Sequence, residues 1–151
     1  MAEAPSVIAS LYLPVAGDKL LLPNVSVAEV VAYQDPVKPK KAPDYYLGLV
    51  KWRGIDVPLV CYEVANKTGK FEKAAGARIA VINTIGAQSN RIPFFAVVTQ
   101  GIPRLVKVAS ELIKEGDKTA GPAELARVRV DGEDAVIPNV EFLESLIYDQ
   151  I

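Results

Sequence analysis

Glycine, proline, asparagine and aspartate cut this chain into short runs rich in valine, isoleucine, leucine and aromatic residues, and little helical repeat runs through them. Short apolar runs bounded by turn formers read as strands, whereas a helix needs a longer stretch repeating every three to four residues. That punctuation predicts an all-β fold. The first run, Val7 to Leu13, ends at Pro14 and the turn Ala16-Gly17-Asp18, and a second covers Lys19 to Leu22. Val25 to Tyr33 is ambiguous between strand and helical turn, with strand favoured from Val27. Residues 34–43 read as a loop, because Pro36, Pro39 and Pro43 each lack an amide donor and fix φ. Tyr46 to Trp52 and Ile55 to Tyr62, joined at Arg53-Gly54, form a hairpin signal.

A second block repeats the style without repeating the residues. Asn66 to Gly76 is polar and reads as the crossing between two halves. Ala77 to Asn83 and Ile92 to Thr99 read as buried strands around a turn containing Gly86, Ser89 and Asn90, followed by a short run from Arg104 to Val108. Ser110 to Lys114 reads as one helical turn, and Ala126 to Val130, Asp131-Gly132 and Asp134 to Pro138 as a second hairpin. Asn139 is placed to cap a closing helix with Val140, Leu143, Leu146 and Ile147 on one face. About ten short strands with one helix predict barrels or a sandwich. Two five-stranded barrels divide the length evenly: one domain over 1–151, its halves about 12–66 and 76–148, with the N-terminal strand shared.

Charge and composition narrow the chemistry. The chain carries 17 basic and 18 acidic side chains, which speaks against a general nucleic-acid binder, since that affinity rests on excess Lys and Arg neutralising phosphates. The sequence contains no histidine. This removes Ser-His-Asp and Cys-His catalysis and every histidine-based metal site. No apolar run reaches the roughly 18 residues of a spanning helix, and Met1-Ala2-Glu3-Ala4-Pro5 lacks the basic start of an export signal, so a cytoplasmic address is expected. Phosphate-binding glycine loops are missing, so no nucleotide is indicated. The reading calls for no cofactor and no metal.

Four groups of residues are candidates for chemistry. Cys61 lies in an apolar strand without a basic neighbour to lower its pKa, and reads as a small core residue. Glu111, Glu115, Asp131, Glu133 and Asp134 have the type needed for carboxylate catalysis or a hard cation, but sit where solvated turns usually carry acids. Lys38, Lys40 and Lys41 stand among prolines and suit either an acidic partner or a stiff loop guarding a sheet edge. Arg53, at the tip of a hairpin between apolar strands, is the most specific of the four.

The residues around that hairpin resemble the CheW family of chemosensory adaptors. Family members share a valine-rich strand ending in glutamate, a proline-containing loop, a strand of the type Gly-Val-x-x-Leu-Arg-Gly, and then x-x-Val-Pro-x-x-Asp-Leu. Here these are Val25-Ser26-Val27-Ala28-Glu29-Val30, residues 34–43, Gly48-Leu49-Val50-Lys51-Trp52-Arg53-Gly54 and Ile55-Asp56-Val57-Pro58-Leu59-Val60. Arg53 follows Glu29 by 24 positions, in register with the family. Phe95 to Ile102 and Ala135 to Leu143 resemble later family segments more loosely. Trp52 stands where leucine is usual, and Cys61-Tyr62-Glu63 replaces Asp-Leu-Arg. These departures resemble a divergent paralogue of the ChpC-like kind found in type IV pilus (twitching) systems.

The resemblance implies two SH3-like five-stranded barrels sharing a hydrophobic core, and a non-catalytic adaptor at membrane-associated receptor arrays. Its implied partners are the cytoplasmic tip of a methyl-accepting chemoreceptor and the regulatory domain of a CheA-type histidine kinase, with no nucleic acid and no membrane insertion. The implied receptor groove comprises Val27, Glu29, Val30, Gly48, Leu49 and Arg53. Glu29 and Arg53 are expected to pair across adjacent strands, and Gly48 to admit a close backbone approach. Ile79, Ala80 and Val81 are the implied kinase contacts. Two rival classes are a carboxylate enzyme on a small barrel and a nucleic-acid-binding or other interaction module using the Lys38–Lys41 loop.

Overall fold

The computed structural model describes residues 7–86, 92–109, 113–115 and 120–150. Eleven strands and two helices follow one another along them. They are β1 (Val7–Val15), β2 (Asp18–Pro23), β3 (Val27–Ala32), β4 (Tyr46–Trp52), β5 (Ile55–Val60), α1 (Tyr62–Ala65), β6 (Arg78–Asn83), β7 (Phe94–Thr99), β8 (Arg104–Ala109), β9 (Ile113–Glu115), β10 (Glu124–Val130), β11 (Glu133–Pro138) and α2 (Val140–Tyr148). A single 3₁₀ turn, Asn24–Ser26, joins β2 to β3. The tips of the β4–β5 and β10–β11 hairpins pair a non-glycine with a glycine at positive φ: Arg53 at 49° with Gly54 at 78°, and Asp131 at 53° with Gly132 at 82°. Two successive residues of that hand match the right-handed twist of the flanking strands, which makes both turns readable from sequence. Asn139 caps α2 as expected, its side chain accepting from the Phe142 amide at 3.0 Å.

Hydrogen bonding sorts the strands into a six-stranded sheet, β8-β1-β2-β11-β10-β9, and a five-stranded sheet, β3-β6-β7-β5-β4. Each has its own apolar interior. Tyr12, Leu21, Val108, Val128, Val130 and Ala135 cluster in the first. Leu47, Trp52, Val57, Leu59, Cys61, Ile79, Val81, Ala96 and Val98 are among those filling the second. Between the sheets and α2 lies a third, shared core including Leu13, Leu20, Leu22, Ala80, Ile82, Phe95, Val97, Leu143 and Ile147. Strands β6 and β7 therefore send alternate side chains into two different cores. This is why 79–82 and 95–98 read as unbroken apolar runs and not as an alternation.

Three features depart from the sequence reading. The sheets do not follow a division at residues 66–76: β6 and β7 pair with β3 and β5, while β1 and β2 pair with β8 and β11. β9, Ile113–Glu115, overlaps the helical turn expected from Ser110 to Lys114 and is a strand paired with β10, and the rest of that turn lies outside the described residues. So do Ser89 and Asn90, while Gly86 is a bend. The strand expected to reach Tyr62 stops at Val60 and gives way to α1.

Buried polar links tie α1 and the residue after it to the six-stranded sheet. Glu63, 2% exposed, accepts from the Ala16 amide in the β1–β2 turn at 2.8 Å. Asn66 donates to Glu124 at 3.0 Å and accepts from the Ala123 amide at 2.8 Å. Arg127 bridges Glu124 (3.3 Å), on its own strand, and Asp18 (2.8 Å), so β10 and β2 meet on one guanidinium. On α2, Glu144 accepts from the amides of Ile85 and Gly86, each at 3.0 Å, holding the strand-end after β6.

Candidate functional site

β3 and β4 are the two outer strands of the five-stranded sheet and share no ladder, so Glu29 and Arg53 are not on adjacent strands as expected. The sheet curls until these edges meet, and the residues singled out in the sequence form part of the seam. Arg53 Nη2 lies 3.4 Å from Glu29 Oε1. The Trp52 indole donates to the same oxygen at 2.8 Å. Further along, Gln34 Nε2 donates to the Lys51 carbonyl at 2.9 Å, and Val37 exchanges two backbone hydrogen bonds with Leu49, at 2.9 and 3.0 Å.

Arg53 is held on its other side by the face of Trp52, with the guanidinium carbon 4.6 Å from the ring centroid. The indole packs edge-on against Phe94 at 4.9 Å between centroids and is only 7% exposed. A guanidinium on an aromatic face is attracted by the ring's negative quadrupole, which orders an otherwise floppy side chain. Arg53 and Glu29 remain 67% and 43% exposed, so the pair is worth little to stability, and its place at the mouth of the barrel is what singles it out.

Not all the expected groove residues join this mouth. A register shift between Val27 and Glu29 puts Val27 and Val30 against the shared core, both half-buried, while Glu29 pairs across from Val81 on the barrel-interior side. Val27 and Val30 thus flank an edge strand whose opposite face carries Glu29. Gly48 does accept a close backbone approach, but the visitor is this chain's own loop. At φ 125°, a Cβ there would meet the Val37 carbonyl carbon at 2.6 Å and Lys38 Cα at 2.9 Å. Gly48 is buried and Leu49 half-buried beside that loop. The Lys38–Lys41 segment therefore belongs to a strap covering the free edge of β4, as one of its two readings anticipated.

Ile79, Ala80 and Val81 are each 0% exposed, on a strand with hydrogen-bonded neighbours on both sides. They offer no side chain to a partner. Glu133 is engaged by Arg104 at 2.7 Å and Lys19 at 3.6 Å, and Asp134 by Arg129 at 2.9 Å, while Asp131 sits in its exposed turn. Among the described residues no three potential ligands converge to hold a metal ion. Glu111 and the Glu115 side chain lie outside the described residues.

Cys61 is 0% exposed, and burial, with Glu63 beside it, pushes its thiol up to about 12. The native protein is expected to react with iodoacetamide at least about a hundredfold more slowly than a free thiol, because the thiolate is the nucleophile. Labelling followed by mass spectrometry across a urea titration checks this; rapid labelling without denaturant contradicts a core role.

The family model of the CheW-like domain matches residues 10–146. The chain belongs to the CheW-like family. A search of curated proteins returns no match. Among solved structures, this CheW-like chain is similar to the crystal structure of the scaffolding protein TtCheW from Thermoanaerobacter tengcongensis. The TM-score is 0.77 at 18% identity, over 93% of this chain and 92% of that one. At that identity the likeness establishes the fold: paired β sheets with a short closing helix. Family membership fixes the broad class as a scaffold or adaptor of chemotaxis signalling and not an enzyme. No helix among the described residues is long and apolar enough to cross a membrane.

Sequence reasoning found Glu29 and Arg53 through motif spacing. It missed Trp52 as the second donor to Glu29, although the replacement of the usual leucine was the available signal. A buried indole N–H requires a partner.

Proposed function

We propose that this CheW-like chain couples a methyl-accepting chemoreceptor, through the hairpin tip of its cytoplasmic coiled coil, to the regulatory domain of a CheA-type histidine kinase. It works in the cytoplasm at membrane-associated receptor arrays. The observation that carries the reading is the meeting of Glu29 and Arg53 at 3.4 Å on opposite edges of one curled sheet, since these are the two charged positions of the family motif. A helical tip lying along β3 touches Val27 and Val30 on one side of the strand and the charged mouth on the other. Transient signalling contacts are small, so a few such residues carry most of the binding free energy. Gly48 and Leu49 contribute to this surface indirectly, through the strap that closes the barrel. The kinase contacts belong on surface residues other than the buried Ile79, Ala80 and Val81.

Arg53→Ala is expected to weaken capture of a receptor cytoplasmic fragment by about tenfold, the equivalent of roughly 1.4 kcal/mol. Unchanged capture by a folded variant removes Arg53 from the site. The departures at Trp52 and at Cys61-Tyr62-Glu63 support a divergent paralogue of the pilus-linked kind. An interaction module for nucleic acid has only the Lys38–Lys41 loop in its favour, and oligonucleotide binding that falls steeply with salt is the result that would revive it.

A further inference from the structure

Glu29 has two donors, and the better one is not the arginine. The indole N–H reaches Oε1 at 2.8 Å, while Arg53 reaches the same atom only at 3.4 Å. Trp52 is 7% exposed and locked against Phe94, whereas Arg53 is 67% exposed. A hydrogen bond from a buried, rotamer-fixed donor to a carboxylate is stronger and more directional than a long contact from a solvated side chain. The same ring supplies the face over which Arg53 rests, 4.6 Å away.

We infer that Trp52 is a positioning residue for docking: its N–H fixes the Glu29 carboxylate and its ring face fixes Arg53, so the two charges are presented together whether or not they touch each other. This rests on the adaptor reading above and extends it. The leucine that resembling chains carry at this place has no N–H to give and no π face. The mouth of this chain is thus pre-ordered by a residue that barely contacts solvent. Pre-ordering lowers the conformational entropy lost on binding, which is how a nearly buried side chain affects affinity. When a partner draws Arg53 away, Glu29 keeps its indole donor and stays in place.

Trp52 is the sole tryptophan of the chain, so its indole N–H gives one cross-peak in a ¹⁵N-labelled sample. Glu29→Ala, which removes the acceptor, is expected to shift that peak clearly, and Arg53→Ala to shift it less. In capture of a purified receptor cytoplasmic fragment, Trp52→Phe, which keeps a ring on Phe94 but loses the donor, is expected to weaken binding about fivefold. In a Glu29→Ala background the same change is expected to add little, because the two residues act through one bond. A peak unmoved by Glu29→Ala overturns the inference, and that measurement does not depend on any tryptophan variant folding. Additive losses from Trp52→Phe and Glu29→Ala overturn it as well, since additivity marks a merely structural role. If Glu29→Ala and Arg53→Ala weaken capture but Trp52→Phe does not, the role of Trp52 falls and the docking surface stands. If neither charge change affects capture, the docking surface itself falls.

Discussion

Glu124→Ala is expected to cost about 3 kcal/mol of folding stability, in the range for breaking a buried ion pair from one side. In a domain of this size that lowers the unfolding midpoint by roughly 10 °C. The Glu124 side chain is 1% exposed and accepts from Asn66 at 3.0 Å, from the Gly121 amide at 2.7 Å and from Arg127 at 3.3 Å. Removing it strands the Asn66 and Gly121 donors and leaves the half-buried Arg127 with Asp18 alone, at the place where the end of α1, β10 and the start of β2 converge. The same group predicts a pH dependence. Burial alone raises the Glu124 carboxyl, but the hydrogen bonds from Asn66, Gly121 and Arg127, with the charge of Arg127, outweigh it and hold the group below its ordinary 4.5. A carboxyl whose folded pKa is depressed gives stability that is complete above the unfolded value and is lost as pH falls through the folded one. Denaturant titrations from neutral pH down to below 4 therefore should show a steeper loss in the native chain than in Glu124→Gln. Equal slopes would assign the acid sensitivity elsewhere.

Gly48→Ala is expected to cost about 2–3 kcal/mol, combining strain at a positive φ with a steric collision. At φ 125° the new methyl would meet the backbone of Val37 and Lys38, neither of which is the yielding end of a side chain. The strap must lift, and the Val37–Leu49 hydrogen bonds open with it. Hydrogen exchange checks this directly: the amides of Val37 and Leu49 should lose protection in the variant, while those of β6 and β7 keep it. Retained protection at Val37 would mean that the strap can shift sideways without detaching. Because Gln34 and the Glu29–Trp52 bond close the same seam, the variant also separates barrel closure from the charge pair.

The local features were legible because local chemistry writes them. Arg53-Gly54 and Asp131-Gly132 announce their hairpins by the backbone hand they require, and Asn139 announces α2 by a side chain that satisfies an orphan amide. The runs at 79–82 and 95–98 declared themselves buried. What the residues do not encode locally is which surface they meet. Sheet membership depends on the parallel pairings of β5 with β7 and β2 with β11, and parallel neighbours leave no turn signature in the chain. For the same reason the charged pair was found but its strands were misread as neighbours. The Ile79, Ala80 and Val81 segment looked like a surface candidate only until both of its faces acquired a core. Gly48 was read as an opening for a partner because glycine reports that something comes close, and not what. Glu63, Asn66 and Glu144 each satisfy amides or side chains dozens of residues away, and an isolated acid or amide in a polar stretch gives no hint of that.

The interleaving of the two sheets has a consequence for synthesis. β3 to β7 form a continuous stretch of chain, so the five-stranded barrel holds all its own strands once residue 99 has left the ribosome. The first two strands emerge earlier, yet their outer partners, β8 and β11, both follow residue 99, and β11 is the last strand of all. Until β11 and α2 arrive, Leu13, Leu20 and Leu22, all buried in the finished protein, lack the part of their cover that Val136, Leu143 and Ile147 supply. Sequence-distant pairing of this kind is slow, and uncovered apolar strands are where misassembly starts. The vulnerable moment in the life of this protein comes before its C-terminal third arrives.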